Sequence, residues 1–137
     1  MAHVAEVTVD KNKGRIKVER LVCAVDCGPI INPDIVIAQI EGASMMGLSA
    51  ALKEQVEFAE GGVKSKNFDD YSILTMSDAR KIEVHLIKSA GNLGGVGEPG
   101  LPPIAPAEAN AVFNAMGVRV RRLPMSPDYI RKLLWAL

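Results

Sequence analysis

One carboxylate in this chain sits inside a loop built of glycines and prolines. It is Glu98, in the run Gly94-Gly95-Val96-Gly97-Glu98-Pro99-Gly100-Leu101-Pro102-Pro103. Glycine lets backbone approach a ligand closely, and proline freezes the path of a loop. No Lys or Arg stands beside Glu98 in sequence, so the acid is placed by its loop rather than neutralised. The alternative is a glycine-rich turn whose acid simply points into solvent.

The same residues spell G-x-G-x-x-G from Gly95 to Gly100, after a strand pattern at 82–87. A dinucleotide fingerprint needs a helix to open on those glycines, with its first amides facing a pyrophosphate. Pro99 removes one amide, Pro102, Pro103 and Pro106 delay the helix, and Glu98 would set negative charge against the phosphates. Where an acid should follow about 20 residues on, Arg119, Arg121 and Arg122 stand instead. A dinucleotide site is excluded. Cys23 and Cys27 stand four apart on an apolar run, and His3 and His85 are isolated. Zinc sites need a second pair, so both thiols read as small buried hydrophobes and no metal ligand is assigned.

The elements that must position Glu98 follow from local patterns. A chain of 137 residues, 48% hydrophobic, buries one ordinary core, so a single domain over 1–137 is expected. Sixteen basic and sixteen acidic residues cancel, which argues against nucleic acid as a partner. No apolar run long enough for a membrane span is read, and the opening residues run into a strand pattern rather than a leader. Residues 4–9 and 15–25 are apolar and β-branched around Asn12 and Gly14, which predicts an antiparallel hairpin. Leu21 to Val25 is apolar on both faces and should be covered on both.

Asn32-Pro33-Asp34 carries helix-start chemistry, and the spacing predicts a helix over 33–55. Its Gly42 and Gly47 each cost ~1 kcal/mol against Ala, which implies close packing there. The packed group is either the sheet or a bulky ligand beside Gln39, Gly42 and Met46, which share a face. Further expectations are a turn at 60–62, short strands at 56–58 and 71–75, and a half-buried strand at 82–87. A helix over 106–116 should stop at Gly117 and lead to an edge strand at 118–121. A C-terminal helix should start at Ser126-Pro127-Asp128, with Tyr129, Ile130, Leu133, Leu134 and Leu137 as its apolar stripe. The class is α+β: an antiparallel hairpin and short strands packed with one long helix and two shorter C-terminal helices.

Three segments in this order resemble the C-terminal part of the large subunit of the molybdenum hydroxylases, the xanthine oxidase and aldehyde oxidoreductase family. They are Ala24-Val25-Asp26-Cys27-Gly28 with Ile31-Asn32-Pro33, then Ala38-Gln39-Ile40-Glu41-Gly42-Ala43, then Gly95-Val96-Gly97-Glu98-Pro99. Asn67-Phe68-Asp69-Asp70-Tyr71 and Arg122-Leu123-Pro124-Met125-Ser126-Pro127 look similar as well. The isoquinoline 1-oxidoreductase β-subunit branch looks closest, and the resemblance covers nearly the whole chain.

The resemblance implies that Glu98 is the active-site base and that Gln39 contacts the molybdenum cofactor. Gly94, Gly95 and Gly97 would let backbone amides approach that cofactor. The implied cofactor is molybdenum–molybdopterin, in its cytosine dinucleotide form. The implied chemistry is hydroxylation of aldehydes or of carbons beside a ring nitrogen, with water as oxygen source. A base for that step works best shielded from water, where burial raises a carboxyl pKa. The amide of Gln39 both donates and accepts, as a pterin or an oxo group requires.

Family large subunits are several times longer than this chain. It therefore resembles a C-terminal piece, whether split by its gene or cut at a domain edge. Implied partners are the remainder of the large subunit, an iron–sulfur small subunit and a small-molecule substrate. The 137 residues alone are expected to bind no molybdenum and to be inactive. Their 91–103 loop should be mobile or displaced, and apolar surface around Met45, Met46 and Leu48 should favour self-association. The rival reading is a non-catalytic module that folds alone and docks on other subunits.

Overall fold

The structure is a computed structural model in which residues 1–136 are described. β1 (Ala2–Asp10) and β2 (Arg15–Val25) form the expected hairpin. Gly14 closes its turn at φ +66, with room for no side chain: a Cβ there would lie 2.2 Å from the Pro127 carbonyl. β5 (Lys81–Leu86) adds to the other side of β2 in parallel, giving the order β1-β2-β5. A separate two-residue pair, β3 (Phe58–Ala59) with β4 (Gly62–Val63), turns through Glu60 and Gly61, both at positive φ.

A bulge places the side chains of β2. Val7 pairs with Val18 but Glu6 with Arg20, so Glu19 is an extra residue. That extra residue shifts the alternation by one. Ile16, Val18, Leu21, Cys23 and Val25 thereby all reach the core side of the sheet. The other side is less covered than the apolar run implied: Val22 and Ala24 are half-buried and Val4 is 60% exposed. Beside them the Arg20 guanidinium donates to Glu83 through two nitrogens, at 2.9 and 2.8 Å, and to Glu6 at 2.8 Å. With Lys81 2.7 Å away, these cations hold the Glu83 carboxyl down at about 2, Arg20 contributing most.

α1 (Pro33–Leu52) starts as expected, with Asn32 Oδ1 accepting the Ile35 amide at 3.2 Å. It ends before the expected 55, because the Lys53 and Glu54 amides both turn back to the Ser49 carbonyl. The helix is long and apolar enough by composition to cross a membrane, which corrects the expectation that no such segment exists. Here its buried side, including Val36, Ile40, Ala43 and Leu48, packs into the core. Of the three residues expected to be uncovered, Leu48 is buried and Met45 half-buried; Met46 is 65% exposed.

α2 (Ile104–Met116) begins two residues before the expected start. Pro103 stands at the cap and Pro106 within the first turn, where missing amides break no helical bond. Gly117 ends the helix at φ +76. α3 (Pro127–Trp135) is capped by Ser126, whose hydroxyl accepts the Tyr129 amide, and buries Ile130 with Leu133 and Leu134 beside it. Leu137 of the expected stripe lies outside the described residues.

Two expected strands are absent. Residues 71–75 cross the end of α1, where the Leu74 amide donates to Ser49 Oγ at 3.0 Å and the Tyr71 hydroxyl to Glu54 at 2.9 Å. Residues 118–121 plug the lower core with Val118, and the Arg121 amide donates to the Tyr129 hydroxyl. Both have a strand's composition and side-chain partners in place of a strand neighbour.

Candidate functional site

Strand β2 ends in Asp26-Cys27-Gly28, where Asp26 Oδ1 accepts from the Gly28 amide at 3.1 Å and from Ser89 Oγ at 2.6 Å. These bonds hold the Asp26 carboxyl below its usual range, Ser89 contributing most. The 91–103 loop is tied to this turn and to α1 at several places. Asn92 lies so close to Gly28 that a Cβ on that glycine would fall 2.3 Å from its carbonyl. The Gly94 amide donates to the Cys27 carbonyl at 2.9 Å. Val96 packs against the cluster of Cys23, Val25, Cys27, Val36 and Ile40. Past the glycines, buried Gly100 rests on α1, its Cβ position 2.9 Å from Ala43 Cβ and 3.2 Å from the Ile40 carbonyl.

Glu98 stands between the last two anchors. Its carbonyl accepts the Leu101 amide at 2.9 Å, so its backbone is fixed in a turn while its side chain is exposed. The shielding that a buried base requires is not supplied by the described residues. The loop expected to be mobile or displaced is tied down at Asn92, Gly94, Val96 and Gly100.

Gln39 lies on the turn of α1 that the loop crosses, one residue before the Ile40 on which Gly100 rests. Its side chain is exposed, as are Ile35 at 58%, Gly42, and Met46 at 65%, so the stripe read from spacing faces outward. Gly47 is the helix glycine that packs closely: a Cβ there would lie 2.9 Å from Ile104 and from the Leu101 carbonyl. A Cβ added at Gly42 would meet no neighbour within 4 Å, and the same holds at Gly95 and Gly97. Neither the Glu98 carboxylate nor the Gln39 amide has a hydrogen-bond partner among the described residues.

Gly100 against Ile40 and Ala43 sets the loop that carries Glu98 beside the turn of α1 that carries Gln39, and the Cβ positions of Gly95 and Gly97 meet no atom within 4 Å. Cys23 and Cys27 stay buried and unpaired, the Cys23 thiol 3.7 Å from Ser44 Oγ and pushed up in pKa by burial. Among the described residues no three His, Cys, Asp or Glu side chains gather as a metal site. Sequence reasoning missed one acid, Glu108, which is fully buried on α2. The signal was its place one turn from both Ile104 and Val112.

The family model described as molybdopterin cofactor-binding domain matches residues 1–80. The beta chain of isoquinoline 1-oxidoreductase from Brevundimonas diminuta is 42% identical over 127 residues, which is 93% of this chain and 16% of that protein. The large subunit of nicotine 6-hydroxylase from Paenarthrobacter nicotinovorans is 34% identical over 137 residues, covering 93% of this chain and 17% of that protein. The crystal structure of quinoline 2-oxidoreductase from Pseudomonas putida 86 superposes with a TM-score of 0.88 at 26% identity, covering 97% of this chain and 18% of that one. The chain thus spans less than a fifth of the length of these relatives.

Proposed function

The chain belongs to the molybdopterin cofactor-binding domain family, and from that premise we propose that it forms part of a molybdenum-cofactor oxidoreductase, to which it contributes the active-site base. The substrates proposed are aldehydes or N-heteroaromatic compounds. The observation that carries the reading is the Glu98 loop laid across the Gln39 turn of α1, with both polar groups unpartnered among the described residues and two glycines, Gly95 and Gly97, open beside them, while the Gly94 amide is taken by the Cys27 carbonyl. Such an arrangement fits a large flat cofactor, because backbone can approach it without a side chain intervening.

In this reading Gln39 holds the cofactor edge through its amide, which matches a donor and an acceptor at once. Gly94, Gly95 and Gly97 let the loop close over the group. The molybdenum cofactor, here in its cytosine dinucleotide form, supplies when bound the two-electron oxidation and the site of oxygen transfer. Glu98 takes a proton at its carboxylate from the attacking oxygen. The remainder of the large subunit covers the loop, excludes water from Glu98 and supplies the shielding absent here. An iron–sulfur subunit is the proposed electron acceptor. No observation favours the rival reading of a non-catalytic module.

The test is Gln39→Ala in a complete subunit carrying these segments. Molybdenum content and activity should fall together, since the amide acts by holding the group. Full metal content with unchanged activity would remove Gln39 from the site.

A further inference from the structure

Helix α2 buries a carboxylic acid that the proposed chemistry does not use. Glu108 is fully buried, and both carboxyl oxygens lie inside without a hydrogen-bond partner among the described residues. It occupies the middle of the buried face of α2, one turn after Ile104 and one turn before Val112. Ile104 belongs to the cluster of Val18, Leu21 and Leu48, and Val112 to that of Ala51, Met116 and Met125. Val7 and Leu52 pack against both clusters. The acid therefore lies where two apolar cores meet.

None of the packed elements offers it a cation. The inward side of β1 carries His3, Ala5, Val7 and Val9, and His3 is the titratable one. Both nitrogens of its ring are buried without partners among the described residues, and burial, followed by the nearby N-terminus, lowers its pKa. β2 adds Ile16, Val18, Leu21 and the neutral thiol of Cys23. The buried face of α1 carries no ionisable group, and the segment after α2 contributes Val118 and Met125. On α3, Arg131 pairs with Asp128 while its Nε is buried without a partner among the described residues, and burial alone raises the Glu108 carboxyl.

We propose that the seating of α2 on β1 is proton-linked: the helix packs while Glu108 is protonated and lifts away when it ionises. Burying an unpaired carboxylate among apolar side chains is far more costly than burying the neutral acid. The 94–103 loop runs directly into α2, and Gly117 ends the helix with a left-handed residue. Lifting α2 would withdraw the segment that carries Glu98. That catalytic consequence rests on reading Glu98 as the base; the latch itself does not.

Burial holds the Glu108 carboxyl up at about 8, against 4.5 for a free glutamate. Between those two values the lifted form releases a proton that the packed form keeps. Lifting should therefore become about tenfold more favourable per pH unit across that window, and level off above it. Stability of the packed form is greatest at the acid end.

Hydrogen exchange of the full 137-residue chain tests this, with wild type and Glu108→Gln compared at the same pH so that intrinsic exchange rates cancel. From about pH 5.5 to about pH 7.5, α2 amides in wild type should lose roughly 100-fold of protection relative to the variant. Amides of the β1–β2 ladder should keep theirs. Equal pH responses in wild type and variant overturn the proposal, as does an equal loss over α2 and the hairpin. Glu108→Leu, which also lacks a proton to lose, is judged by the same criteria should the glutamine variant fail to fold.

Discussion

Exchanging Glu98 for glutamine in a complete subunit is expected to cut turnover by about 10²–10⁴-fold, the usual contribution of a general base, while molybdenum content stays unchanged. The amide nearly matches the carboxylate in shape but accepts no proton at neutral pH. Its backbone setting should survive, because the tie from the Leu101 amide goes to the Glu98 carbonyl and not to its side chain. The anchors at Gly94, Val96 and Gly100 are untouched as well. The loss should therefore fall on the chemical step, read as the single-turnover rate beside metal content. A near-normal single-turnover rate in the variant would reduce the glycine loop to a structural turn. Gln39→Ala differs in kind, since there metal and activity fall together.

Gly28→Ala is expected to destabilise the chain by about 2–4 kcal/mol, measured by urea unfolding. Two effects add. The residue sits at φ +72, which side-chain-bearing residues adopt at a cost, and its new methyl would lie 2.3 Å from the Asn92 carbonyl. That neighbour is backbone and cannot rotate away, so either the turn or the 91–94 segment must move. In a complete subunit the displaced segment is the one that leads to Glu98, so activity should drop as well. Gly42→Ala provides the contrast. Gly42 is helical and a Cβ there would meet no neighbour within 4 Å, so alanine there should stabilise the chain by about 1 kcal/mol. At the proposed site the same methyl would meet the cofactor, so stability would rise while molybdenum content falls. No stability change for Gly28→Ala would mean that the loop is not held as described.

The features legible in the sequence are those set by local chemistry. Asn32 and Ser126 announce helix starts because their side chains reach the first free amides, and Gly14 and Gly117 announce reversals because they take positive φ. The hairpin follows from Gly14 and the flanking β-branched runs. What stayed hidden depends on partners distant in sequence. Residues 71–75 and 118–121 have strand composition, but a strand also needs an open ladder beside it, and side-chain acceptors claimed their amides first. Nothing local marks β5 as parallel to β2 or Glu19 as a bulge.

At the site, the composition of the loop singled out Glu98 and the shared helix face singled out Gln39. The exposure of Glu98 was not legible, because shielding is a property of what surrounds a side chain. Glu108 escaped notice for the converse reason. An acid in a helix is ordinarily solvated, and only the packing of α2 against β1 turns this one inward.

The order of strands in the sheet also bears on how the chain acquires its shape. β1 and β2 are neighbours in sequence and can zip across Gly14 on the microsecond scale of hairpins. β5 must instead find the far side of β2 after all of α1 and the β3–β4 pair have been made. Closing so long a segment is costly before any contact rewards it, so the parallel edge is expected to be the late event in folding. During synthesis the hairpin and α1 would leave the ribosome before β5, with the β2 edge and the Val25 end of the core open until β5 arrives. Until then that bare edge is open to pairing with a stray strand.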